Sequence, residues 1–268
     1  MLNRRLLGLS ALGLPAAATL VNEARAQTVV KSRLKAVQES GTLRVGTTGD
    51  FNPMSFKAPG SNDYQGHEID CANLLASDLG VKVSFVPTDW KTLINGLVAD
   101  QYDIVMTGTS MSAARAAAAT FVDSWGRNAF IPLVEKKNAG KYADWAALDQ
   151  PSVTIGANLG TTMEQFVHTG LPKATLRRVE SPARDWQELL SGSVDVTMAS
   201  MIEAAALTKE YPQLTILFAD KPRNPIPMAF LIPQGDPTWL AFLNNWTTLR
   251  KTSGHFDELA KKWNLVTG

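Results

Sequence analysis

Twice along these 268 residues, short β-prone runs alternate with segments of helical periodicity, and that rhythm excludes most folds open to a chain of this size. Residues 42–47 and 81–87 read as strands. Between them, residues 68–79 carry apolar side chains at helical spacing and stop at Gly80. Residues 93–99 read as the next helix and 103–107 as the next strand, so a parallel sheet grows through short connections. A second unit follows the apolar stretch 130–134, with strands at 153–157, 175–179 and 195–199. Its helices are predicted at 162–169, 185–191 and 201–210. A last strand is expected at 228–232, behind Pro222, Pro225 and Pro227, and helices over 238–264 carry Trp239, Trp246 and Trp263. The expected class is α/β with two lobes, each a mixed sheet flanked by helices. Residues 27–130 and 226–268 would form the first lobe and 131–225 the second, with a hinge where the chain crosses near Phe130 and near Pro225. A plain tandem of separate domains shares this periodicity.

The start of the chain has the pattern of an export leader over residues 1–26. Arg4 and Arg5 precede the apolar stretch 6–21, and Ala24-Arg25-Ala26 forms a small-x-small cleavage site after Ala26. Pro15 interrupts the apolar stretch, which falls short of the ~20 residues a membrane-spanning helix needs. The arginine pair leaves the export route open, since its neighbours do not complete a twin-arginine signal. No cysteine follows the cleavage site to carry a lipid, so the mature chain is expected to be soluble and not membrane-anchored. Removing three arginines and one glutamate with the leader takes the formal charge from +1 to −1, a balance without a nucleic-acid footprint. The single cysteine, Cys71, lies in a helical segment and reads as a buried thiol. His67, His168 and His255 have no paired spacing for a metal, and no nucleotide-type glycine loop is present, so no cofactor is expected.

Four motifs, in order, carry a family resemblance over nearly all of the mature chain. Residues 41–56, from Gly41-Thr42-Leu43-Arg44 to Met54-Ser55-Phe56, resemble the opening of family 3 periplasmic solute-binding proteins. Gly66-His67-Glu68-Ile69-Asp70 is similar to their signature after the first hairpin. Tyr102 to Ser110, continuing to Arg115, resembles their substrate-anchoring strand, loop and helix, and Gly160-Thr161-Thr162 their anion-facing turn. The resemblance implies a type II two-lobed binding fold, a periplasmic monomer and a small carboxylate-bearing ligand. It also implies delivery to an inner-membrane permease of an ABC transporter. Chemistry agrees with the anchor, because Arg115 offers a planar fork for a carboxylate, and Thr161, Thr162 and the amides of their helix end favour an anion. Thr107, Gly108 and Ser110 would add hydroxyl or backbone groups. Phe51 and Trp90 are placed by the resemblance against the ligand, although either also suits core packing. Glu68 and Asp70 are expected to organise the lobe.

Ser200 departs from the pattern. Receptors of this family usually have an aspartate there to hold the ligand's ammonium group, and serine supplies no compensating charge. Either another acid such as Glu164 takes the role, the alignment slips, or the ligand lacks an α-amino group. A second branch of the family, the cyclohexadienyl dehydratases, is similar around residues 47–50, Pro87-Thr88-Asp89-Trp90 and Gly160. That resemblance implies elimination of water and carbon dioxide from prephenate or arogenate, with Glu164 as general acid. A glutamate at a helix N-terminus is equally ordinary helix chemistry. Phe130 at the expected hinge counts against the dehydratase, because a cation would suit a second substrate carboxylate.

Overall fold

The computed structural model describes residues 32–58 and 60–265; the expected leader and its cleavage after Ala26 lie outside them. The chain opens with helix α1 (Arg33–Ser40), capped by Ser32, and strand β1 (Thr42–Thr47). A small antiparallel sheet follows, made of β2 (Asp50–Phe51), β3 (Ser55–Lys57) and β4 (Tyr64–Gln65). Helix α2 (His67–Leu79) then runs to a left-handed cap at Gly80, whose N–H bonds back to Ala76 and Ser77. The first unit is completed by β5 (Lys82–Pro87), α3 (Leu93–Val98), β6 (Ile104–Val105), α4 (Ala113–Ala116) and β7 (Thr120–Phe121).

The second unit contains β8 (Gly126–Glu135), β9 (Thr154–Asn158), α5 (Thr162–Gly170), β10 (Thr175–Val179), α6 (Asp185–Leu190), β11 (Val196–Ser200), α7 (Met201–Glu210), β12 (Leu214–Ile216) and β13 (Arg223–Met228). The chain ends with β14 (Leu231–Ile232), α8 (Pro237–Thr252) and α9 (His255–Lys262). The strands sort into two main sheets, β5-β1-β6-β14-β7 and β10-β9-β11-β8-β12, with β13 paired to β8. In the first, β5, β1, β6 and β7 run parallel and β14 runs against them; in the second, β10, β9 and β11 run parallel and β8 is antiparallel to its neighbours β11, β12 and β13.

The expected strand at 228–232 divides in two. Arg223–Met228 pairs with β8 in the second sheet, and Leu231–Ile232 joins the first. A continuous strand would have to belong to both sheets, and the break between them is one of the two crossings. The other falls at Trp125 and Gly126, where β8 enters the second sheet. Both lie a few residues from the expected Phe130 and Pro225. Phe130 itself is buried mid-strand against Phe166, so its identity says nothing about a cation at the hinge.

The tail packs on the first sheet. Trp239 is buried with Leu43, Val45, Ile104 and Leu75, and Trp246 joins the same core. Each full burial of such an aliphatic side chain contributes roughly 1.5–3 kcal/mol. The three tail indoles find first-lobe acceptors: Trp239 Nε1 donates to Asp103 O (3.3 Å), Trp246 to Asp78 (2.7 Å) and Trp263 to Asp70 (2.6 Å). The second lobe has its own core around Val134, Ile155, Val167 and Met198. None of the described helices is long and apolar enough to cross a membrane.

Candidate functional site

The carboxyl ends of β1 and β6 face those of β9 and β11, the place where α/β sheets collect their functional loops. After β6 the chain makes a tight turn at Gly108, whose N–H donates to Glu68 Oε2 (2.6 Å). Glu68 is buried, and burial pushes its carboxyl up to about 8. It shapes the loop from behind, as expected of it, while Asp70 holds Trp263 and Lys262 of the tail.

That loop delivers Arg115. Ser112 caps the single turn of α4 and orients the arginine inward, where it is only 8% exposed. Its Nη1 donates to Ser110 O (2.9 Å) and its Nη2 to Gly160 O (3.0 Å), so one guanidinium joins both lobes. Among the described residues it has no carboxylate partner, and burial alone lowers its pKa to about 10. Trp90 lies beneath it, ring centroid 5.8 Å from the guanidinium carbon, and meets Phe51 edge-on at 6.1 Å.

From the second lobe comes the turn after β9. Gly160 has φ +82°, and a Cβ there would stand 2.6 Å from the backbone carbonyl of Trp90. Thr161 caps α5 by accepting from Glu164 N (3.2 Å). Phe51, Trp90, Gly108, Ser110, Arg115, Thr161 and Thr162 line one cavity together with Asn128 and Met163. Its volume is about 10 Å³, room for about one water.

Two expected residues stand elsewhere. The Thr107 hydroxyl is buried between Thr48 and Ser55. Ser200 caps α7 by accepting from Ile202 N (3.1 Å) and donates to Asn128 Oδ1 (2.9 Å), placing it behind the cavity wall. Glu164 also lies off the cavity, with Oε2 accepting from Gly160 N (3.0 Å) and Oε1 from Arg178 Nε (2.6 Å).

Sequence reasoning missed Asn128 and the ion network beside the cleft. Arg184 Nη1 reaches across to Asp50 Oδ2 (2.5 Å), and its Nη2 donates to Glu203 Oε1 (2.8 Å). Burial works against the Arg184 charge, but Glu203 and Asp50 outweigh it and raise the pKa. Burial pushes the Glu203 carboxyl up to about 7 even beside that arginine. Asp50 Oδ1 accepts from Trp90 Nε1 (3.0 Å), which ties the network to the cavity wall. A polar Asn128 just before the apolar run of β8 was the available sign of an inward polar group.

Two lobes joined by two chain crossings and meeting over a buried arginine define a type II periplasmic binding protein fold. Within that class, the chain belongs to the bacterial extracellular solute-binding proteins, family 3, whose model matches residues 43–266. A cyclohexadienyl dehydratase of Pseudomonas aeruginosa is 31% identical, over 87% of this chain and 86% of its own. The L-cystine-binding protein TcyJ of Escherichia coli is 26% identical, over 86% and 85%. Among solved structures, an ancestral amino acid-binding protein described as a precursor of cyclohexadienyl dehydratase superposes with a TM-score of 0.81. It is 38% identical, over 87% of this chain and 99% of the other. A binding component of an ABC transporter from Wolinella succinogenes, complexed with lysine, has a TM-score of 0.78 and 30% identity, over 85% and 97%.

Proposed function

We propose that this protein is the periplasmic binding component of an ABC-type transporter, capturing a small carboxylate-bearing solute between its lobes. Arg115 is the observation that carries the reading. A buried guanidinium whose hydrogen bonds, among the described residues, go to carbonyl oxygens is a charge without an anionic partner, and an anion in the cleft is what would compensate it. Thr161, Thr162 and the start of α5 add the favourable end of a helix dipole on the facing lobe. Known ligand pockets occupy roughly 300–1,000 Å³, so capture requires the lobes to part and re-close. The ligand would replace the Gly160 carbonyl on Arg115 and stabilise closure by its preference for the closed state. Relatives that bind amino acids support the small-molecule role, and export by a cleaved leader after Ala26 accords with it. A permease and its ATPase would receive the loaded monomer. No cofactor enters this mechanism.

A thermal-shift screen over amino acids, oxo acids and dicarboxylates tests the reading, since a ligand of the native state raises apparent stability. Arg115→Ala should abolish the response. Full retention of affinity would refute the grip.

The 31%-identical dehydratase supports a second reading, in which Glu164 protonates a departing hydroxide. Against it, both Glu164 oxygens are engaged by Gly160 and Arg178, and neither faces the cavity. Incubation with prephenate and optical detection of phenylpyruvate decides the matter. Turnover that disappears in a folded Glu164→Gln variant would establish the enzyme.

A further inference from the structure

The cavity is rich in hydrogen-bond donors and poor in anionic acceptors. None of its lining residues is acidic. Asn128 is the decisive group, because its amide orientation is set by partners whose roles are unambiguous. The Ala129 N–H donates to Asn128 Oδ1 (2.9 Å). Because that backbone donor fixes Oδ1 as the acceptor end, the Ser200 hydroxyl, 2.9 Å from the same oxygen, donates to it as well. With Oδ1 occupied twice on the protein side, the Asn128 NH₂ is the end left for the cavity that this residue lines. It has no protein partner among the described residues. Together with the Arg115 guanidinium, it makes the polar surface one that gives protons.

The neighbouring carboxylates do not alter that balance. Asp50 is tied to Trp90 and Arg184, and Glu203 to Arg184. Asp185 is buried at the start of α6, accepting from the Trp186 N–H. None of the three lines the cavity. The Ser110 carbonyl accepts from Arg115, and the Gly160 carbonyl, released when the ligand takes its place on Arg115, is a neutral acceptor that gives an ammonium group no counter-charge. An ammonium enclosed beside an NH₂ group would be buried without a counter-charge, whereas a carbonyl or hydroxyl oxygen there would accept from it.

Building on the carboxylate reading of this cleft, we infer that the ligand is a 2-oxo or 2-hydroxy acid, preferred over the 2-amino acid of the same skeleton, with Asn128 the residue that discriminates. Arg115 holds the carboxylate, Asn128 donates to the oxygen on the adjacent carbon, and Phe51, Trp90 and Met163 cover the remainder.

Calorimetric titration with matched trios tests this: phenylpyruvate, phenyllactate and phenylalanine; 4-methyl-2-oxopentanoate, its 2-hydroxy analogue and leucine; oxaloacetate, malate and aspartate. In a trio that binds, the oxo or hydroxy member should bind at least about tenfold more tightly than the amino member. Asn128→Asp, nearly isosteric, should reverse that order by turning the donor into an anionic acceptor. Asn128→Ser should narrow the ratio if the aspartate variant does not fold. Arg115→Ala should abolish binding of every member. An amino member that binds as tightly as its partners, and is lost in Arg115→Ala, overturns the Asn128 assignment while the carboxylate grip stands. Binding of no trio member, or binding indifferent to Arg115→Ala, overturns both.

Discussion

Replacing Gly160 by alanine separates the strain of a turn from the strain of closing the cleft. At φ +82° the new side chain costs about 1–2 kcal/mol wherever the lobes stand, because the left-handed region crowds Cβ against the backbone. A second penalty applies only when the lobes are together. The alanine Cβ would lie 2.6 Å from the carbonyl carbon and oxygen of Trp90 and 2.7 Å from Lys91 N. These are backbone atoms of the opposite lobe and cannot swing aside as a side chain can. Overpacking of this kind costs roughly 1–3 kcal/mol, which disfavours closure by about 5- to 150-fold and weakens a ligand selective for the closed state by the same factor. Small-angle scattering should register a larger mean radius of gyration for Gly160→Ala, and calorimetry the loss of affinity. Denaturation should show only the smaller, local loss. Wild-type dimensions and affinity in a variant that has lost about 1–2 kcal/mol of stability would refute the reasoning, confining Gly160 to the shape of its own turn.

Glu68→Gln should flatten the pH dependence of stability. Burial raises the Glu68 carboxyl from 4.5 to about 8, so the folded protein holds a proton that the unfolded chain has released, and stability falls as pH rises through that window. His67, lowered to about 4 by burial, acts mainly below about 6.5 and with the opposite sign, and Glu203, raised to about 7, titrates in the window equally in both proteins, so the difference between them between pH 6.5 and 8 isolates Glu68. Urea titrations at those two values should show the wild type losing about 2 kcal/mol more than the variant, and equal losses would contradict this. Cys71, 0% exposed and with its thiol pushed up by burial, should ignore a thiol reagent in the native protein and react once in denaturant. Rapid native labelling would contradict its place in the first core.

Much of the fold was legible because its signals are local. Helix α2 announces itself through 3.6-residue periodicity and a terminal glycine, and β10 and α7 have the bounds expected for them. Arg115 and the Gly160 turn could be picked out because each follows a strand in a family-like motif. The split between β13 and β14 was not legible, since apolar periodicity tells a strand from a helix but not which of two sheets it joins. The roles of Thr107 and Ser200 were obscured for a related reason. A hydroxyl looks the same in sequence whether it faces a ligand or caps a helix, and only packing placed one between Thr48 and Ser55 and the other behind Asn128. Local pattern thus determined the α/β class and the helices of the tail, and a family-like motif singled out Arg115. Tertiary structure alone decided that Asn128 and Arg115 line one cavity and that Arg184 engages Asp50 and Glu203. Those arrangements join residues on different elements, and which atoms they leave free depends on geometry that no local pattern encodes.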